Sequence, residues 1–197
     1  MFRSMLALIP QVWLRPCAAF RVLKTLPAPR TGLAAILTRG LFISLFTYLP
    51  AWLMGRQPAV PSAITAIPTE GYFGFLAWFS PIFFLAEWLL FSGIFHLVLR
   101  LLRRQADIDA ILNTGGVIDL AAQPLLTAID WLAVLIFPGL PAVVGFAHLA
   151  LVMAWVTWLS ALGYREALGL PCWAGALFCV AASILHFPLA LLFMRPI

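Results

Sequence analysis

From residue 33 to residue 193 the chain consists of apolar stretches of about twenty residues joined by short connectors. They fall at roughly 33–54, 75–102, 115–137, 142–162 and 172–193. Twenty apolar residues wound as a helix match the hydrocarbon thickness of a bilayer. In lipid a backbone must satisfy its own polar groups, which a helix does within itself. With 64% hydrophobic and only 10% charged residues, too few charges remain to clothe a water-soluble surface. The predicted fold class is all-α: an integral membrane bundle of five transmembrane helices over 33–197, preceded by an amphipathic, basic N-terminal segment over 1–32.

That first segment sets Phe2, Leu6, Leu8, Trp13, Leu14, Phe20 and Val22 against Arg3, Arg15, Arg21, Lys24 and Arg30, with breaks at Pro10 and Pro16. It reads either as short helices lying among lipid headgroups or as a positive tether. Its apolar run is too short and too interrupted for a cleaved signal peptide. Arg15, Arg21 and Lys24, with Arg103 and Arg104 after the second span, are the candidate lipid- or partner-binding residues.

Charge sets the expected orientation. With a cytoplasmic N-terminus, Arg3, Arg15, Arg21, Lys24, Arg30, Arg100, Arg103, Arg104 and Arg165 lie inside, and only Arg56 and Arg195 lie outside. An odd number of spans then places the C-terminus outside. The net charge of +5 is accounted for by this bias and by anionic headgroups, not by nucleic acid.

The apolar stretches are not free of charge. Asp119, Gln123 and Asp130 fall on one helical stripe with Thr127 nearby, and a carboxylate facing lipid costs about 2.5–3.5 kcal/mol, so the stripe should face protein. Arg39 lies at the depth of Asp119. The two either pair, or Arg39 reaches inner-leaflet phosphate while Asp119 caps its own helix. Pro124 frees the Leu120 carbonyl for a neighbour. Glu87, Asp130, His148 and His186 come from four spans near the midplane or in the outer half. They are structural polar groups, a proton relay, or ligands to a divalent metal. His96 reads as an interfacial residue.

Cys17, Cys172 and Cys179 form no disulfide framework and no paired metal spacing, and read as reduced thiols packed as small apolar residues. No phosphate loop, nucleophile elbow, zinc-protease motif or dinucleotide fingerprint occurs. No enzyme, cofactor, metal site or catalytic residue is therefore expected.

A wider pattern runs over most of the chain. A basic, proline-broken N-terminus precedes the first span. Ser80-Pro81 opens a second span ending in "FHLVLRLLRR". The glycine pair Gly115-Gly116, which resets the backbone, and a third span with "DLAAQPLL" follow, and "WVTWLSALGYREALGLPCWAGA" joins the last two spans, with "GYREALGLP" turning the chain. This layout resembles the Yip1 family of five-span membrane proteins, in its bacterial form. The resemblance implies an all-helical membrane protein and carries no catalytic signature. The acidic-aromatic cytoplasmic motif of the eukaryotic members is missing, so their trafficking role is not carried over. The glycine-tyrosine pattern of the family's third span is altered here to "GGVIDL".

Three functions follow as expectations. The first is a non-enzymatic scaffold or accessory protein of the bacterial cytoplasmic membrane, interacting with membrane lipids, another membrane protein or a second copy of itself. The alternative is a small transporter or channel subunit using the intramembrane carboxylates and histidines. A membrane enzyme would need the histidine–carboxylate set to converge on a substrate or metal.

Overall fold

The computed structural model describes the backbone of residues 2–25, 28–58, 67–136 and 141–193. Every regular element among them is helical. Two short helices come first, α1 (Phe2–Leu14) and α2 (Pro16–Leu23). Helix α3 (Arg30–Ile43) runs through a π-helical turn (Ser44–Tyr48) into α4 (Leu49–Leu53). Then come α5 (Tyr72–Leu101), α6 (Ile108–Ile136), α7 (Pro141–Leu168) and α8 (Cys172–Phe193). The runs Arg30–Leu53 and Thr69–Leu101 are long and apolar enough to cross a membrane, and Cys172–His186 is a shorter apolar helix.

Two local expectations are corrected. The glycine pair Gly115-Gly116 does not interrupt the chain, because α6 begins at Ile108 and continues through both residues. Nor does "GYREALGLP" turn the chain at its start. Helix α7 extends to Leu168, and the reversal is confined to Gly169, whose φ of 68° needs no Cβ, and the two residues after it.

Contact pairs fix the helix directions. Gly32 meets Asn113, Arg39 meets Asp119 and Gln123, and Thr47 meets Thr127, so α3 and α6 run parallel. Ser44 meets Ser80 while Gly40 packs on Pro81, so α3 and α5 are antiparallel. Helices α7 and α8 are antiparallel through Ser160–Gly175 and Thr157–Cys179. A close crossing joins α3 to α6. A Cβ on Gly116 would lie 2.5 Å from the Gly32 carbonyl oxygen and 2.8 Å from its Cα, so both glycines are there for backbone approach.

Asn113, fully buried, organises the start of α3. Its Oδ1 accepts the N–H of Gly32 at 2.8 Å, one of the first-turn donors that a helix leaves unpaired, and its Nδ2 donates to Ala28 O at 3.1 Å. Indoles complete other helix interiors. Pro50 lacks the N–H that would bond Phe46 O, and Trp131 Nε1 donates to that carbonyl at 2.6 Å. Trp13 Nε1 donates to Ala121 O at 2.9 Å, one residue along from the Leu120 carbonyl that Pro124 was expected to free. Trp88 Nε1 donates to Leu112 O at 3.0 Å.

The N-terminal segment is not a separate surface strip. Leu8, Val12, Ala19, Phe20 and Leu23 share one core with Ala35, Val117, Ile118, Leu120, Ala121 and Leu159. Helix α1 lies against α6 and α3, and α2 against α7 and α6.

Candidate functional site: a charged cavity between α5 and α8

Helices α5 and α8 run antiparallel and meet through side chains at two levels. At one, the Glu87 carboxylate pairs with His186 Nδ1. At the other, Phe95 and Phe178 stack with centroids 4.0 Å apart, and Tyr164 of α7 sets its ring edge-on to both. Eight residues separate the two levels on each helix, about 12 Å of rise. Between them Trp88, Phe91 and Ser92 of α5 face the small side chains of Cys179, Ala182 and Ser183 on α8. They leave a cavity of about 260 Å³ whose floor is formed by α6 and α7.

On the floor Arg39 reaches in from α3. Its Nη1 donates to Asp119 Oδ2 and its Nε to Gln123 Oε1, each at 3.1 Å, and its guanidinium carbon lies 4.1 Å above the Phe84 ring. One planar fork therefore satisfies a carboxylate, an amide and an aromatic face at once, which a lysine could not do. The polar line continues as Gln123 Nε2 donates to Thr127 Oγ1 at 3.1 Å and Thr127 faces Thr47. The Arg39 side chain is 14% exposed and that of Asp119 33%, because the carboxylate fronts the cavity.

The sequence candidates divide accordingly. Arg39, Glu87, Asp119 and His186 line one cavity, with Gln123 buried directly behind it. Asp130 does not line it. It is half-buried further along α6, with Tyr48 within electrostatic reach. The side chain of His148 lies outside the described residues. The four-residue set Glu87, Asp130, His148 and His186 is thus represented in the cavity by one acid and one imidazole. Among the described residues no three His, Cys, Asp or Glu side chains gather as a metal cage. Ser92, Ser160, Tyr164 and Phe178 also shape the site; sequence reasoning passed over them because single small or aromatic residues in apolar helices carry no motif.

The basic candidates are placed differently. Arg15 and Lys24 are exposed, but Arg21 Nε donates to Glu166 Oε2 at 2.6 Å, and Arg165 holds the other oxygen of the same carboxylate. Arg165 also donates to Cys17 Sγ at 3.4 Å and Cys172 Sγ at 3.6 Å, so thiols far apart in sequence share one guanidinium. Arg103 and Arg104 are exposed at the end of α5.

Glu166 gives a pH prediction. Hydrogen bonds from Arg21 first and Arg165 second hold its carboxyl below the ordinary value of 4.5. A carboxyl depressed in the fold contributes stability that is complete above the ordinary value and lost as pH falls through the folded one. Proteolytic protection of α2 should therefore weaken below about pH 4.5. Glu166→Gln should lower protection at neutral pH and flatten its acid limb. The effect is small, because Arg21 is largely in solvent.

No family model, curated protein or solved structure matches the chain.

Proposed function

We propose that this chain is a Yip1-like integral protein of the bacterial cytoplasmic membrane, with five spans, a cytoplasmic N-terminus and an external C-terminus. It acts without catalysis, as a scaffold or accessory protein that holds a polar lipid or a partner protein. The observation that carries this reading is the cavity between α5 and α8. Both of its walls present large apolar side chains outward, among them Leu89, Leu90, Ile94, Leu177, Val180 and Ile184. His186 at the deep end is 38% exposed on its side chain, so the cavity opens sideways between lipid-facing helices. A ligand with a polar head and an apolar body fits such a lining: the head meets Glu87, Asp119, Ser92 and Ser183, the body Val152, Val156 and Leu126. Alternating helix directions and the arginines gathered at the expected cytoplasmic end support the threading.

A second reading, a small transporter or channel subunit, is favoured by one observation: two ionisable pairs, Glu87–His186 and Arg39–Asp119, front the same cavity.

Reconstitution separates them. Native mass spectrometry of the purified chain should retain lipid, and Glu87→Gln should reduce that retention. Vesicles carrying an internal pH dye should show no more proton flux than empty ones. Flux present in the wild type and abolished by Glu87→Gln would establish the second reading. A C-terminal tag found on the same side as the N-terminus would sink the threading.

A further inference from the structure

We infer that the end of α5 carries a separate site for the phosphate of an anionic phospholipid, formed by Arg100, Arg103 and Arg104 around His96. The inference rests on the reading of α5 as a membrane span whose C-terminal end is cytoplasmic.

An open notch at that end is lined by these four residues with Gln105, Ala106 and Asp107. None of the three arginines is paired with a carboxylate among the described residues. The one acid in the notch, Asp107, turns Oδ1 to the backbone N–H of Asp109 at 3.0 Å, at the start of α6. Three adjacent guanidinium groups repel one another, and an anion shared between them offsets part of that repulsion. A phosphodiester, whose single negative charge is shared by two non-bridging oxygens, matches the planar fork of a guanidinium.

His96 is the second and independent sign. Its Nδ1 is buried and has no hydrogen-bond partner, although the side chain lines the notch. A buried polar nitrogen without a partner costs free energy, and a turn of the imidazole that brings Nδ1 into the notch would let a phosphate oxygen accept from it.

Backbone geometry presents the arginines. Helix α5 ends in a Schellman turn: Arg104 N–H bonds Leu99 O and Arg103 N–H bonds Arg100 O, both at 2.9 Å. The left-handed residue of that turn is normally glycine, as Gly55 is at the end of α4, yet here it is Arg103 with a φ of 56°. An arginine is kept where the backbone favours a residue without a side chain.

The surroundings select lipid over free phosphate. Leu97, Leu101 and Leu102, on the same last turns, are 57%, 74% and 66% exposed. Apolar side chains beside a phosphate notch meet the acyl region of a headgroup held there, and have no function toward a soluble anion.

The test uses the full chain in mild detergent, titrated separately with phosphatidylglycerol, phosphatidylcholine and inorganic phosphate, with bound species counted by native mass spectrometry. Phosphatidylglycerol should be retained about five-fold or more over phosphatidylcholine. The variant Arg100→Gln/Arg103→Gly/Arg104→Gln should bring it down to the phosphatidylcholine level. Arg103→Gly alone relieves the left-handed strain, so it should hold or raise the thermal midpoint while lowering retention, which separates lost binding from lost folding. Equal retention of the two lipids, or full retention by the triple variant, overturns the inference. Displacement by inorganic phosphate at the lipid's own concentration overturns the lipid assignment in favour of a soluble anion. Release of the chain from membranes by alkaline carbonate overturns the membrane reading alone, since the notch is titrated in detergent regardless.

Discussion

Arg39→Leu should destabilise the bundle by about 3–5 kcal/mol, because it leaves Asp119 charged in the interior without its partner. The loss comes from three contacts held by one side chain: Asp119, Gln123 and the Phe84 ring. Asp119→Leu alone should be comparably harmful, since it strands the guanidinium. The double variant Arg39→Met/Asp119→Leu should be more stable than either single one, because removing both charges together avoids an unpaired ion in a low-dielectric site. Thermal unfolding in detergent, followed by tryptophan fluorescence, gives the order. A double variant as unstable as the worse single would show that the pair is not what links α3 to α6.

The second large effect is steric. Gly116→Leu should prevent recovery of a monodisperse chain, and Gly116→Ala should lower stability by about 1–3 kcal/mol. A Cβ at this position meets the Gly32 backbone, which has no flexible end to move aside. Gly93, whose Cβ would meet nothing within 4 Å, is the control: Gly93→Ala adds a good helix former on an exposed face and should be neutral or mildly stabilising. Size-exclusion profiles of the three variants decide the matter. A normal Gly116→Leu profile would show that α3 and α6 do not cross at Gly32.

These two cases also show what the sequence makes legible. A charge inside an apolar helix needs a partner, and depth alone brings Arg39 and Asp119 to the same level. The glycine pair was read by its local tendency to break helices. In the fold the absence of Cβ atoms serves an inter-helix contact, which no single-helix pattern reveals. Asn113 was hidden for the same reason: in a connector it looks like an ordinary polar residue, and its purpose is apparent only once the Gly32 N–H and the Ala28 carbonyl sit beside it. The five apolar stretches were placed well as helices because length and apolarity are local. The cavity was not, since it depends on the level at which Glu87 faces His186 and Phe95 faces Phe178.

The docking of the N-terminal helices has a consequence for the order of events during synthesis. Val12, Phe20 and Leu23 are sealed by residues of α3, α6 and α7. The indole of Trp13 waits for a carbonyl 108 residues downstream, and Arg21 for a carboxylate 145 residues downstream. Until that intervening chain has been made, the apolar face of α1 and α2 lacks the partners that bury it in the fold. Helices α1 and α2 therefore come first in the chain yet reach their final place only after α7 has been made.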